Sequence, residues 1–449
     1  MSKFIFAVLL SGFSLTIISA QEKEYWSLEK CIDYALENNI QVKRQELQSE
    51  FIEKDYTQSF FLFTPALNAG VEHSISTGRV LNTDEFYRWE NTQQTFGSMG
   101  VRSEITLFNG LQNFNTMKQR KYSYLSSLED LEKTKNNITL QIVNYYLQVL
   151  FDEEILEVSK SQYDVTLLQV EKTKRLVDVG NVAMGQLFEI QAQAATEKLN
   201  YTVNRNRLEL SVLDLVQLLD QDSVGSFAVL HPSDLSVENT LLPASFSEVI
   251  DIAMINMPEI RGAEYRVKSS EKNLSVQKGA RVPELYLNGV YYSRYQNGAY
   301  NPNDSTYTYP MMDQLKDKQY SQLTLGLNIP VFNRYQTQTA ISKAKINLAD
   351  SKYQLEQQKQ VLYKSIQQSY ADALGAFQKY QSALEAVKSN EEAFNYTRQK
   401  YEVGLVNAVD FSVAKNNYSK ARSDLAQAKY EYIFKVKILD FYTGKEIRL

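Results

Sequence analysis

Leu28-Glu29-Lys30-Cys31-Ile32-Asp33-Tyr34-Ala35-Leu36 returns 218 residues later as Phe246-Ser247-Glu248-Val249-Ile250-Asp251-Ile252-Ala253-Met254, and Pro65 returns as Pro283 with no gap between. Thr106-Leu107-Phe108-Asn109 and Val179-Gly180 recur at a shift of 224, as Pro330-Val331-Phe332-Asn333 and Val403-Gly404. The second copy has therefore gained six residues between Pro65 and Phe108. A period of about 220 residues is far longer than those of solenoids or propellers. The chain is a duplicated half-protein whose copies share one geometry.

Working outward from that repeat, the segment from Gly110 to Gly180 holds no internal Pro or Gly. Its apolar positions Ile142, Tyr146, Val149, Leu156, Tyr163, Leu167 and Val170 keep mostly to heptad spacing. Ile366, Tyr370, Ala373, Phe377, Tyr380, Leu384 and Val387 do the same in the second copy. Both are coiled-coil seams. They predict one helix of roughly 68 residues per copy, over 111–179 and 335–403, each about 100 Å long. Shorter helices are expected at 28–62 and 187–219, then at 246–280 and 411–441. Laid end to end, each short pair matches the long helix beside it. Two stacked short helices beside each long one then put four helices across at every level.

Between the first short helix and the long one, the period changes to two. Leu67, Ala69, Val71 and Ile75 alternate with Asn68, Gly70, Glu72 and Ser74, while Met99, Val101, Ile105 and Leu107 alternate with Gly100, Arg102, Glu104 and Thr106. Leu285, Leu287 and Tyr291 oppose Tyr286, Asn288 and Tyr292, and Leu323, Leu325, Leu327 and Ile329 oppose Gln322, Thr324, Gly326 and Asn328. Strands are expected at about 65–76, 96–108, 283–295 and 320–332. The joining segments Thr77 to Thr95 and Gln296 to Gln319 are polar and rich in Tyr, Asn and Asp, and read as loops. One such hairpin would suit a soluble cap on a helical bundle. Four long amphipathic strands on an exported chain suit an outer-membrane barrel, with Leu323, Leu325, Leu327 and Ile329 facing lipid.

Export is read from residues 1–20: Met-Ser-Lys, an apolar run from Phe4 to Ile18, then Ser19-Ala20, the pattern of a signal peptide. The expected organisation is a signal at 1–20, a first repeat at 21–220, an equatorial linker at 221–245 and a second repeat at 246–441. An equatorial tail at 442–449 follows. With a pI near 5.5 and a formal charge of −5, the chain has no basic excess for nucleic acid. One cysteine excludes an intrachain disulfide, and Cys31 sits on an apolar helical face that implies inert burial. His73 and His231, the two histidines, are far apart in sequence, and there is no Gly-rich phosphate loop. These absences argue against an enzyme, a metal site or a cofactor.

Four strands cannot close around a lumen, and lipid forbids an open sheet edge. Other copies of the chain must supply the missing strands. Order-two symmetry gives eight strands and order three gives twelve, of which the latter readily leaves an open pore.

The duplicated helix, two-strand and helical-pair layout, with Tyr401-Glu402-Val403-Gly404-Leu405-Val406-Asn407-Ala408-Val409-Asp410 at the second helical turn, resembles the TolC family of outer-membrane efflux and secretion channels. The resemblance covers essentially the whole mature chain. It implies a mainly α fold with a β part, in which a homotrimer forms a twelve-stranded outer-membrane barrel continued by an α-helical barrel through the periplasm of a Gram-negative bacterium. It implies docking on a periplasmic adaptor, or membrane fusion protein, and on an inner-membrane transporter of the proton-driven RND type or an ABC transporter. The cargo would be small molecules or polypeptides. The competing reading is a periplasmic coiled-coil structural or adhesive protein with a soluble β cap.

Glycines after the long helices are first of all C-caps. By resemblance, the adaptor docks at the same turns, on Val179, Gly180, Asn181, Val403, Gly404 and Leu405. Three copies of Asp410 around an axis would form an acidic ring, although a carboxylate near a helix start is ordinarily a solvated partner of the helix dipole. The family places a pair of aspartates at its entrance constriction, matching Asp410 and Val413, so only the first is present here. Tyr401 matches a tyrosine that locks the closed tip, but its acidic partner is Gln186 and the expected basic residue is Val406. A Gln186–Tyr401 hydrogen bond and an inward Glu189 carboxylate are the remaining means of closure, beside a plain surface role for Glu189.

Overall fold

The computed structural model describes residues 24–82, 88–221, 227–232, 237, 245–301, 304–445 and 447. The expected export signal and most of the expected linker lie outside the described residues. The elements of the first copy are β1 (Glu24–Trp26), α1 (Leu28–Asn38), α2 (Ile40–Phe60), β2 (Ala66–Asn82), β3 (Arg88–Phe108), α3 (Gln112–Asp178) and α4 (Met184–Leu218). After β4 (Phe227–Val229) come α5 (Phe246–Asn256), α6 (Pro258–Gly279), β5 (Glu284–Gln296), β6 (Tyr300–Asn301) and β7 (Asp304–Thr308). The chain ends with α7 (Met311–Asp317), β8 (Tyr320–Asn328), α8 (Gln336–Glu402) and α9 (Ala408–Tyr442).

Several boundaries differ from expectation for local reasons. The helix expected over 28–62 breaks at Asn39, which is extended at φ −60° and ψ 129°. Its side chain accepts from the Gln41 amide at 2.9 Å and so starts α2. The helix expected over 246–280 breaks 218 residues later, at Met257, because Pro258 forces the preceding residue out of the helical region. The Thr77–Thr95 segment read as a loop is largely strand, since β2 and β3 stay paired out to Asn82 and Arg88. The second segment read as a loop contains β6, β7 and α7. β8 stops at Asn328, before Pro330, which has no amide to donate.

The chain forms two compact units, one of Met1–Val42, Lys135–Val249 and Ile366–Leu449, the other of Lys43–Thr134 and Ile250–Ser365. The second unit holds a four-stranded antiparallel sheet in the order β2-β3-β5-β8. Its register aligns Val71 with Met99, Met99 with Ser293, Val101 with Tyr291, and Leu287 with Leu325. Side chains alternate along a strand, so one face collects Leu67, Val71, Met99, Val101, Leu287, Leu323, Leu325 and Leu327. The other collects Asn68, Glu72, Arg102, Glu104, Asn288, Arg294 and Thr324. Both faces are open at β8, where Leu323 is 74% exposed and Leu325 64%. In the same unit Arg266 bonds Asp130 at 3.2 Å and Arg261 bonds Glu129 at 2.7 Å, tying α6 to the start of α3.

The first unit has its densest packing around Ile142, Tyr146, Val149 and Leu150 of α3, with Leu28, Cys31 and Ala35 of α1 and Leu215 and Leu219 beside α4. β1 and β4 pair in parallel. The Tyr146 hydroxyl donates to the Leu230 carbonyl at 2.6 Å and lies 3.0 Å from that of Trp26, which pins the ribbon to α3. Burial pushes the Cys31 thiol up to about 12, which leaves it protonated and unreactive.

The duplication is written in the backbone. Positive φ angles fall at Gly110, Leu111, Gly180 and Asp220 and again at Arg334, Tyr335, Gly404 and Gly444, each 224 residues on. After α3, Asn181 N–H bonds Leu176 O at 2.8 Å and Gly180 N–H bonds Val177 O at 2.9 Å. After α8, Leu405 N–H bonds Lys400 O at 2.8 Å and Gly404 N–H bonds Tyr401 O at 3.2 Å. Both turns are Schellman caps with a left-handed glycine. Replacing Gly404 by Ala should cost about 1 kcal/mol, whereas Gly375→Ala, inside α8 with open space at its Cβ, should stabilise by about 0.5 kcal/mol. Thermal melting of the purified protein followed by helix ellipticity should move down for the first and up for the second.

Candidate functional site

In the first unit the two Schellman turns present Val179, Val403 and Leu405 at 69%, 71% and 73% exposure. Isolated large apolar side chains at turn apices contribute little to the subunit's own core. Each turn leads into a helix at equivalent positions, with Ala183 before α4 and Asn407 before α9. Only Asn407 caps: its side chain accepts from the Asp410 amide at 2.8 Å. Asp410, exposed in the first turn of α9, has its carboxylate where the helix dipole favours it. The 224-residue shift places Gln186 opposite Asp410 and Glu189 opposite Val413; both Gln186 and Glu189 are exposed.

Tyr401, in the last turn of α8, packs its ring 4.8 Å from that of Phe411. Lys172 of α3 sits 5.7 Å above the Tyr401 ring. Among the described residues no hydrogen bond joins Gln186 to Tyr401. The tyrosine instead heads an aromatic ladder, Tyr401–Phe411–Phe394–Tyr418, with ring centroids 4.8, 5.5 and 5.6 Å apart. The ladder closes α8 on α9. The corresponding first-copy positions, Val177, Leu187, Val170 and Ala194, are aliphatic, so the two hairpins are zipped differently.

One turn beyond Phe411 a charged group is buried. Lys415 and Glu197 have side chains only 4% exposed and meet at 2.6 Å. Thr166 Oγ1 contacts both of them, and Gln193 donates to Glu197 at 2.8 Å. Gln162 reaches Asn416 at 2.8 Å. The network ties α9, from the second copy, to α3 and α4 of the first. Burial holds the Lys415 amine below the usual lysine range, opposed by its bond to Glu197.

Elsewhere, His231 pairs with Glu153 at 2.6 Å and His73 contacts the Tyr295 hydroxyl. Among the described residues no three His, Cys, Asp or Glu side chains gather to hold a metal, and no helix is long and apolar enough to cross a membrane. In the sheet unit Leu323, Leu325 and Leu327 share the apolar face of β8, and Ile329 follows just beyond its end at 56% exposure.

The family model described as outer membrane efflux protein matches residues 31–221 and again 249–445, once on each copy. The chain belongs to the outer membrane efflux protein family. Among relatives of this efflux protein family, the outer membrane efflux protein BepC of Brucella suis biovar 1 is 21% identical over 442 residues, covering 98% of this chain and 89% of BepC. A membrane protein from Pseudomonas aeruginosa superposes with a TM-score of 0.77 at 14% identity, over 94% of each chain. The Campylobacter jejuni CmeC outer membrane channel gives 0.77 at 16% identity, over 93% of this chain and 85% of CmeC. The family is one of outer-membrane transport ducts, and the chain has its fold.

The Lys415–Glu197 pair was not anticipated from the efflux protein's sequence. Its signal was there: Glu197 ends the buried stripe Leu187, Ile190, Ala194, Glu197, and Lys415 stands four residues after buried Phe411. A charge on an apolar helical stripe calls for a buried partner. Removing one partner leaves the other charge buried, so Glu197→Ala should destabilise the helical unit by about 3–5 kcal/mol. Glu197→Leu combined with Lys415→Met should recover most of that loss in the guanidinium unfolding midpoint.

Proposed function

We propose that the efflux-family chain is a passive outer-membrane exit duct made of three subunits. Each gives four strands to a twelve-stranded barrel and its long helices to a tunnel in the periplasm. The observation that carries this is the sheet: it has an apolar and a polar face along one register and two edges, β2 and β8, which pair with no further strand among the described residues. In lipid such edges must be paired, and a closed ring of copies pairs them. The polar face then lines water and the band of Leu323, Leu325, Leu327 and Ile329 meets hydrocarbon. The duct lowers no chemical barrier. The energy comes from an inner-membrane RND-type or ABC transporter, whose substrate decides whether small molecules or polypeptides pass.

In this reading the Schellman turns are the periplasmic tip. Val179, Gly180, Asn181, Val403, Gly404 and Leu405 receive the helical hairpins of an adaptor, and their exposed apolar apices supply area to bury. Asp410, repeated three times around the axis, makes a carboxylate ring that favours cations. Glu189 adds a second exposed carboxylate from the first copy, and Tyr401 steadies the turn through Phe411 rather than through Gln186.

Single-channel recording of the detergent-extracted protein in planar bilayers tests this. Wild type should give discrete cation-selective steps blocked by divalent cations, with the block weakened by about tenfold in Asp410→Ala, a loss of about 1.4 kcal/mol of binding. Protein that never inserts would overturn the duct, and unchanged block would remove Asp410 from its narrow end.

A further inference from the structure

The segment between β7 and β8 holds an apolar feature that the duct reading does not use. Helix α7 is anchored by Gln314, whose side chain is almost entirely buried. Its amide oxygen accepts from the Gln296 backbone N–H at 3.0 Å and its amide nitrogen donates to the Gln296 carbonyl at 2.9 Å. A single side chain thus serves the β5 edge as a strand would, at the end where β8 has not yet joined. Ser293 Oγ fixes the helix further by donating to the Leu315 carbonyl at 2.7 Å.

So held, α7 turns Met311, Met312 and Leu315 to one side at the helical spacing of neighbours. Met311 is 48% exposed and Met312 67%. Next to Leu315 an open groove of about 400 Å³ runs across β2, β3 and β5, walled by Ala69, Val71, Met99, Val101 and Tyr291. Every one of these strand residues lies on the apolar face of the sheet. The lining offers no charged side chain, and the backbone of its inner strand β3 is engaged in the ladder on both sides. Its polar side chains are Ser293, whose hydroxyl is committed to the Leu315 carbonyl, and Gln319; the remaining walls offer a hydrocarbon chain an apolar surface.

We propose that α7 and this groove form a lipid site that holds one acyl chain of a membrane phospholipid on each subunit, with the Met311–Met312 side of α7 lying against the neighbouring chains. The assignment rests on the membrane-spanning reading of the sheet, because continuity with the lipid-facing band is what selects an acyl chain as occupant. Small side chains at Ala69 and Gly70 open the floor, and Leu315 closes the outer end.

The test is native mass spectrometry of the full-length assembly extracted into detergent from vesicles of phosphatidylethanolamine and phosphatidylglycerol. Wild type should carry a retained phospholipid on each subunit. Ala69→Trp, which fills the groove, should lower its occupancy by about tenfold, as expected for a displacing steric clash, and Val71→Phe should act in the same direction if Ala69→Trp fails to assemble. Leu327→Trp, on the same face but away from the groove, should leave occupancy unchanged. A lipid-free wild type, equal retention in both filling variants, or an equal loss in Leu327→Trp would each overturn the site. Channel insertion, recorded separately on the same preparations, shows whether the membrane reading itself has failed.

Discussion

Everything in this chain answers to an unpaired backbone. A strand edge exposed to hydrocarbon leaves amides and carbonyls without partners, each at a cost of several kcal/mol. Among the described residues β2 and β8 are the edges of the sheet, 17 and 9 residues long. In the proposed duct the sheet of one subunit is a fragment that becomes stable in lipid only through its neighbours. Gln314 shows the same constraint on a small scale, since its side chain pairs the β5 edge just where the next strand is missing.

Duplication meets this need economically, because one helix–hairpin–helix plan provides two strands and is used twice. The backbone keeps the symmetry, with helix breaks at Asn39 and Met257 and matching left-handed residues at every major turn. The side chains have departed from it. The second hairpin is closed by aromatic rings and the first by aliphatic ones, and the buried Lys415–Glu197 pair joins one hairpin to the other with no counterpart at the equivalent positions, Gln191 and Ala421. Two identical hairpins could exchange places. An ion pair that can form in only one arrangement gives the packing a register, the best-attested use of a buried charge.

The fold was legible because its signals are local and repeated. Heptad seams marked the long helices, and strict alternation from Leu323 to Ile329 marked a two-faced strand. The outer ends of β2 and β3 were read as loop because polar residues there fall on both faces, which removes the period while leaving the backbone ladder intact. The break at Asn39 depends on one side-chain cap, although Pro258 at the equivalent point of the second copy was a warning. At the tip, the turns were readable from Gly180 and Gly404. The tyrosine's partner was not, because whether Tyr401 meets Gln186 or Phe411 is decided by ring packing that spacing does not encode. The Lys415–Glu197 contact spans 218 residues of sequence, and nothing near either residue names the other.

The central claim is that β2 of one subunit pairs with β8 of the next. Disulfide trapping addresses it most directly. In a Cys31→Ala background, cysteines placed at Ala69 and, in separate variants, at Leu323, Leu325 or Leu327 would be oxidised in outer membranes and resolved on denaturing gels. The account predicts that at least one pair, the one in register, yields covalent dimers and trimers and nothing larger. Monomers alone from all three pairs would contradict it, because the sheet edges would then be closed by something other than a neighbouring copy of this chain.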